Sequence, residues 1–500
     1  MSYANPVIPG FYPDPSVCRN GEDYYLVTSS FEYFPGVPVF HSRDLVNWKQ
    51  IGHCLTRPSQ LPLEGATCSS GIYAPTIRYH NGVYFMVTTN VTARRHLIVH
   101  TTDPAGEWSE PVWIDFGGID PDLFFDDDGK VYLTTNAHGI TQVEINPFTG
   151  EFLSAPRGLW FGTGGAFQEA PHLYKVGGKY YLILSEGGTE YGHMVTMARA
   201  DHLCGPWEAC PANPILTHRS LNHPIQAIGH ADLIQDHHRK WWVFFLGIRP
   251  FGYPPVHTLG RETFLSPLHW HDGWPVIHEG KPVELEMNCS TLAPQKKMEN
   301  MPRDDFDSPK LDLTWNHLRN ARKGSWSLTA RPGWLRLNGH ELTLDEDDAI
   351  CFLGRRQQHF STVVKTKVDA SALMEGCQAG ITAYMNHRHH FDLFVKIQDG
   401  KIYICQHSRI GFLSKEICCM EILDRTFELE IKAEKTKYTF TCTLTTGERI
   451  AMGDAESKYL GKEVAGGFTG VYLAVYAQSK SSEIVAQADF DYFEYSPFEG

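Results

Sequence analysis

The sequence predicts an all-β protein built in two parts: a five-bladed β-propeller over residues 1–290 and a β-sandwich over 306–500, joined by a connection over 291–305. Three features predict it. A short phrase, Asp or Ala, usually Pro, then apolar residues, a turn and an aromatic run, recurs five times in the first half of the chain. The copies start 60, 46, 50 and 61 residues apart, and a period of this order made only of short strands marks a propeller, one blade per repeat. Beyond Phe306 the pattern changes to longer strands of alternating polarity with no helical period, as in a two-sheet sandwich.

The blades follow in order. Asp14-Pro15-Ser16-Val17 precedes Tyr24-Tyr25-Leu26, and Ala74-Pro75-Thr76-Ile77 precedes Tyr84-Phe85-Met86. Asp120-Pro121-Asp122-Leu123 precedes Val131-Tyr132-Leu133, and Ala170-Pro171-His172-Leu173 precedes Tyr180-Tyr181-Leu182. The fifth copy, Ala231-Asp232-Leu233-Ile234 before Trp241-Trp242-Val243, has lost the Pro. The pattern fades after Gly273-Trp274-Pro275, and prolines 282, 294 and 302 mark a crossing segment. In the second part, Ser325–Leu328 and Trp334–Leu337 alternate, longer strands are expected at Thr362–Val368, Phe391–Ile397, Thr426–Lys432 and Val471–Tyr476, and Ala486–Tyr495 alternates again. His387, His389 and His390 fall in an expected loop beside Arg388, a poor setting for a cation.

A propeller aims equivalent residues of every blade at one axis, so residues distant in sequence meet there. Aligned on Ala231, the repeats give a column of Asp14, Ala74, Asp120, Ala170 and Ala231, preceded by Pro13, Tyr73, Ile119, Glu169 and His230. Packing alone would keep both columns apolar. Asp14 stands between two prolines on a stiff backbone; the plain alternative is an Asx turn, but Asp120 repeats the Asp-Pro dipeptide. Glu169 at a strand start is costly unless paired or functional. One protonated and one ionised carboxyl across a pocket are the equipment of glycoside hydrolysis, and a third acid raises the proton affinity of the first. His230 reads first as a core histidine and second as a ligand to substrate or metal. Arg249, at the end of an apolar strand, reads as salt-bridge partner and sugar clamp together. Phe31, Phe34 and Tyr73 read first as core aromatics, and Glu186-Gly187-Gly188-Thr189 as a turn whose Thr189 hydroxyl can face the pocket.

Composition narrows the partners. A net charge of −14 without any Lys/Arg-rich run excludes nucleic acid and anionic membrane as natural partners, and 12% aromatic residues suit both propeller strands and sugar-stacking surfaces. No basic-then-apolar leader opens the sequence, so a cytoplasmic protein with free thiols is expected from the twelve scattered cysteines.

These residues resemble glycoside hydrolase family 43, in its two-domain β-xylosidase and α-L-arabinofuranosidase members. The resemblance rests on Asn5–Ser16, Gly71–Arg78, Asp120–Phe124 with Asp126–Gly129, Glu169–Tyr174, Glu186–Thr189, Leu246–Pro250, Leu259–Thr263 and Arg303–Asp307. It implies a concanavalin-like, lectin-type sandwich, Asp14 as general base, Asp120 as the tuning acid and Glu169 as general acid. It also implies a sugar subsite lined by Phe31, Tyr73, Ile119, Thr189, His230 and Arg249, closed by Phe468 from the sandwich. No cofactor is required; whether calcium or water sits on the axis near His230 is left open. The sequence departs from the family at Tyr73, where many relatives have Trp, and at Asn136-Ala-His-Gly139, which lacks a Trp that some xylosidases carry beyond the bond. The implied activity is an inverting exo-glycosidase that removes xylose from the non-reducing ends of β-1,4-xylo-oligosaccharides and also α-L-arabinofuranose, with the two carboxyls about 6.5–9.5 Å apart. The rivals are a chiefly α-L-arabinofuranosidase action on arabinosylated oligosaccharides, and a non-catalytic carbohydrate-binding propeller. A sialidase-like propeller would need several converging arginines. Oligomeric state, a homo-oligomer included, is left open.

Overall fold

The computed structural model of the chain describes residues 2–137, 139–288 and 303–499. The first domain carries five antiparallel sheets, opened in order by the strands Ser16–Asn20, Thr76–His80, Ile119–Phe125, Glu169–Val176 and Gln226–Gln235. Each opening strand pairs with the aromatic run that follows it. The same apolar pair is repeated in every sheet: Val17 opposite Leu26, Ile77 opposite Met86, Leu123 opposite Leu133, Leu173 opposite Leu182, and Leu233 opposite Val243. The second members are wholly buried. Repetition of one cross-strand pair lets each sheet pack on its neighbour by the same contact, which is how a propeller holds together. The ends of the domain are tied by Ser2–Ala4 pairing with Glu286–Asn288, while the Tyr3 hydroxyl and the Asn5 amide both donate to the Leu265 carbonyl.

The second domain is a sandwich of a six-stranded sheet, running Phe352–Arg356, Tyr472–Ser479, Cys377–Asn386, His389–Gln398, Lys401–Ile410 and Leu413–Ile422, and a larger sheet centred on Thr362–Asp369 and Ala486–Pro497. Thr362–Asp369 alternates buried and half-buried residues along its whole length, with one face toward the core between the sheets. Most of the expected connection lies outside the described residues. Its last part does not: Arg303–Asp304 pairs with Glu494 and Phe493, so the sandwich starts before 306. Cys405 and Cys419, opposite each other on neighbouring strands, form a disulfide, which corrects the expectation of free thiols throughout. No helix among the described residues is long and apolar enough to cross a membrane.

The domains are joined by more than the chain. Tyr33–Phe34 of the propeller pairs with His317–Leu318 of the sandwich, and the Tyr33 ring stacks on Tyr472 with centroids 3.9 Å apart. Around them Phe11, Phe31, Leu318, Phe352, Tyr384 and Tyr476 make one apolar cluster drawn from both domains. Each buried aromatic pair adds about 0.5–1.5 kcal/mol beyond the area it hides.

Candidate active site

The opening strands of the five sheets enter through an unusual backbone. Asp14, Asp120, Ala170 and His230 all have positive φ, between 49° and 57°. Left-handed φ in a non-glycine residue costs on the order of 1 kcal/mol and persists only where the surroundings impose it. In three of these four sheets the kinked residue, Asp14, Asp120 or His230, turns its side chain into a common space. Strand register also corrects the repeat alignment. Ser16, Thr76, Asp122, His172 and Asp232 are the equivalent positions, each one before the shared apolar pair. Two residues earlier lie Asp14, Ala74, Asp120, Ala170 and His230. His230, not Ala231, therefore belongs to the column of the two aspartates, and the deviation comes from the double register shift in Gln226–Gln235.

Four residues of that column, Asp14, Ala74, Asp120 and His230, line a cavity of about 240 Å³ together with Phe31, Tyr73, Ile119, Glu169, Thr189, His193, Arg261 and Phe468. Asp14 is the most constrained of the acids. The Ser29 hydroxyl donates to it, Arg261 Nη1 donates from 2.7 Å, and His230 Nδ1 lies 3.6 Å away. Burial alone would raise its pKa, but the Arg261 guanidinium, His230, the Ser29 hydroxyl and His193 outweigh it and hold the carboxyl below its ordinary value. Asp120 is the opposite case. Burial and the neighbouring charges of Glu169 and Asp14 push it well up, against the Ala170 amide that donates from 3.3 Å and the more distant Arg261. Glu169, half-buried, is raised to about 7 by burial and by Asp14, with Arg261 opposing. One cavity thus holds one carboxyl pushed below its ordinary value and two pushed above theirs, the division of roles acid–base catalysis requires. His230 is lowered to about 3, by burial first, and is neutral.

Arg249 does not line the cavity. Its Nε and Nη2 grip Glu262 at 2.7 and 2.8 Å, and Glu262 in turn accepts from the Gly10 amide. The arginine of the site is Arg261, which donates to Asp14 and also reaches the Thr189 hydroxyl at 3.3 Å. Sequence had shown both in Leu246–Pro250 and Leu259–Thr263; only the register of the paired strands decides which one faces inward. His193, which packs its ring against Gly229 so closely that a Cβ there would lie 2.2 Å from it, was also missed. So was Phe167, 67% exposed at the cavity rim. The loop before Phe167 is tied by Glu186, which reads from sequence only as part of a turn: its carboxylate accepts from the Thr163 and Gly165 amides at 2.8 and 2.7 Å and from the Thr196 hydroxyl.

Phe468 comes from the sandwich, as its motif implied. Its ring stacks on Phe31 at 6.0 Å and meets Tyr73 edge-on at 6.2 Å, and its amide donates to the Ser69 hydroxyl at 2.8 Å. The approach is close enough that a Cβ at Gly467, which has φ +81°, would meet Ser69 Oγ at 2.6 Å. Beneath the acids the axis is occupied by the Arg78 guanidinium. Nη1 donates to Asp232 at 2.9 Å and Ser16 at 3.3 Å, Nη2 to Asp122 at 2.7 Å, with His172 Nδ1 3.1 Å away. The axial carboxylates are thus already neutralised by a side chain, and the carboxylate beside His230 is Asp14, itself held by Arg261. Calcium, which wants six to eight oxygens, does not fit this set.

A sugar-sized pocket carrying one carboxyl held low and two pushed up coincides with two matches to known families. Residues 3–275 match the model of glycosyl hydrolases family 43, and 303–496 match the β-xylosidase C-terminal concanavalin A-like domain. The chain belongs to glycosyl hydrolase family 43. It is 40% identical to a non-reducing end α-L-arabinofuranosidase of Bacteroides ovatus over 99% of this chain and 94% of that one. It is 35% identical to a xylosidase/arabinosidase of Butyrivibrio fibrisolvens over 98% of each. A solved xylan β-1,4-xylosidase of Bacillus halodurans superposes with a TM-score of 0.93 at 31% identity, covering 99% of this chain and 100% of that one. This family 43 chain is a glycoside hydrolase, and its all-β fold is the propeller with the concanavalin-like domain that the family models describe.

Proposed function

We propose that the five sheets are the five blades of the propeller and that the enzyme is an inverting exo-glycosidase for terminal pentoses: it releases xylose from β-1,4-xylo-oligosaccharides and α-L-arabinofuranose from arabinosylated ones. The observation that carries the reading is the small pocket around Asp14, Asp120 and Glu169, walled on one side by Phe468 of the second domain. At about 240 Å³ it is smaller than the roughly 300–1,000 Å³ of drug-sized sites and suits one ring at a chain end. Asp14 takes a proton from water as the water oxygen bonds to the anomeric carbon. On the other side of that carbon the glycosidic bond breaks, and Glu169 gives its proton to the departing oxygen. Burial and the Asp14 carboxylate keep the proton on Glu169, and Asp120, itself pushed up by burial and by both neighbours, accepts from the Ala170 amide that follows Glu169 in the chain. Thr189 and Arg261 are placed for ring hydroxyls, and Phe167 for the sugar beyond the scissile bond. No metal takes part, because Arg78 supplies the axial positive charge.

The likeness to the Bacteroides ovatus enzyme favours a second reading, in which arabinofuranose is the main substrate. One preparation assayed on nitrophenyl β-xyloside and nitrophenyl α-L-arabinofuranoside ranks the two sugars. Proton NMR of the first product from the β-xyloside shows α-xylose before mutarotation; early β-xylose removes Asp14 as base. Turnover of neither glycoside returns the carbohydrate-binding rival.

A further inference from the structure

Far from the acids in sequence, the six-stranded sheet of the sandwich carries a second cluster of chemically capable side chains. The sequence placed His387, His389 and His390 together in a loop. The structure separates them: His389–Gln398 is a strand, and period-two alternation puts His390 and Asp392 on one face of it. His407 on the next strand lies directly opposite Asp392. His390 Nδ1 is 2.9 Å from Asp392 Oδ2, and His407 Nδ1 is 2.9 Å from the same oxygen. The three ligand atoms lie within 4.8 Å of one another.

We propose that His390, Asp392 and His407 form a binding site for one divalent transition-metal ion of the zinc class. Two imidazoles and one carboxylate select such an ion over calcium or magnesium, which prefer oxygen alone. Ligand bonds of about 2.0–2.2 Å in a tetrahedral arrangement set the ligand atoms about 3.3–3.5 Å apart, so each His–Asp separation of 2.9 Å needs to open by only a few tenths of an ångström. The outer nitrogens are already fixed in the way metal-binding histidines are. His390 Nε2 lies 3.2 Å from Asp345 Oδ1, and His407 Nε2 lies 2.9 Å from Ser414 Oγ. The Asp392 carboxylate only accepts, so in this structure each Nδ1–H donates to it; when the ion takes Nδ1, the outer nitrogen of each ring becomes the donor and keeps the ring's orientation. On binding, the ion replaces whatever protons the two Nδ1 atoms carry, and these pass to solvent. The fourth position faces a cavity of about 340 Å³ lined by Gln378, Ser414, Glu416 and Gln478, which leaves room for a water and a path inward. Thr382, opposite Asp392 on the neighbouring strand, keeps a buried hydroxyl with no hydrogen-bond partner among the described residues.

The test uses the full-length protein stripped with a chelator and dialysed, then titrated with Zn²⁺ by calorimetry and with Co²⁺ by visible absorption. One ion per chain at micromolar affinity or tighter is expected, with a Co²⁺ ligand-field band. His407→Ala, at the half-buried rim, should weaken binding at least 100-fold, and Asp345→Asn, which only orients His390, by about 10–100-fold. Glu169→Gln should bind as the parent does, and metal-free protein should turn over aryl pentosides at the parental rate. Binding weaker than about 100 μM, binding unchanged in both His407→Ala and Asp345→Asn, or binding lost in Glu169→Gln would overturn the site. If His407→Ala does not fold, Asp345→Asn and Ser414→Ala decide the matter on the same scale.

Discussion

At the scale of the residue, the site works by giving three carboxyls different proton affinities within one cavity. Glu169 has a folded pKa raised to about 7 against an ordinary 4.5, so it contributes stability that is complete below about 4.5 and is lost as pH rises through 7. Glu169→Gln should therefore stabilise the enzyme at pH 8 by about 1–2 kcal/mol, after allowing for partial exposure, and leave it unchanged at pH 4. Thermal melts at the two pH values check this, and equal shifts at both would contradict the raised affinity. The same group predicts that kcat/KM declines above about pH 7, where the general acid ionises. Glu169→Ala should slow unactivated xylo-oligosaccharides far more than nitrophenyl glycosides, whose leaving oxygen needs little protonation. At the other limb, Arg261 and His230 hold Asp14 low. Arg261→Gln should raise the Asp14 pKa and move the acidic limb of kcat/KM upward by about one pH unit. Arg249→Gln, which loses the grip on Glu262 and the place over the Phe360 ring, should lower the melting temperature and leave that limb where it was.

At the scale of the element, loops set the rim and strands set the floor. The segment before Phe167 has no sheet of its own and depends on one buried carboxylate, Glu186, for its shape. Glu186→Gln replaces an acceptor of several charge-assisted bonds by a weaker one. KM for xylobiose should rise about 3–10-fold while kcat on nitrophenyl xyloside, which makes less use of the second sugar position, stays within about twofold. A parallel loss of kcat on both substrates would show that Glu186 supports the floor instead. The opening strands were legible because Asp-Pro and Ala-Pro dipeptides mark them. The fifth was misaligned by one residue because its Pro is replaced and Gln226–Gln235 carries two register shifts, which no residue type announces.

At the scale of the molecule, the second domain completes the pocket rather than standing apart from it. Phe468 stacks on Phe31, and the shared sheet of Tyr33–Phe34 with His317–Leu318 keeps it there. Excluding water around a small sugar strengthens every charge interaction inside, and a wall on one side admits only a chain end. Phe468→Ala should lower kcat/KM on xylobiose by about 10–100-fold with the melting temperature within about 2 °C of the parent. A large drop in melting temperature with unaltered kinetics would make Phe468 a core residue only. Internal cleavage of xylan by the parent enzyme would refute the exo assignment.

The sequence by itself determined the repeat, the change of pattern near residue 306 and the three acids, because each is written in local chemistry: prolines that stiffen a backbone, apolar pairs at fixed spacing, a carboxyl where an apolar residue is cheaper. The aromatic lid, Phe468, came through the family resemblance. Tertiary structure alone decided which arginine serves the site, since Arg249 and Arg261 sit in equally plausible motifs and differ only in where strand pairing aims them. It alone filled the axis with Arg78, whose partners Asp122, Asp232 and Ser16 come from three different sheets. And it alone set His390, Asp392 and His407 side by side. A contact made by strands that meet across a sheet depends on register, and register is a property of the paired chains that neither strand carries alone.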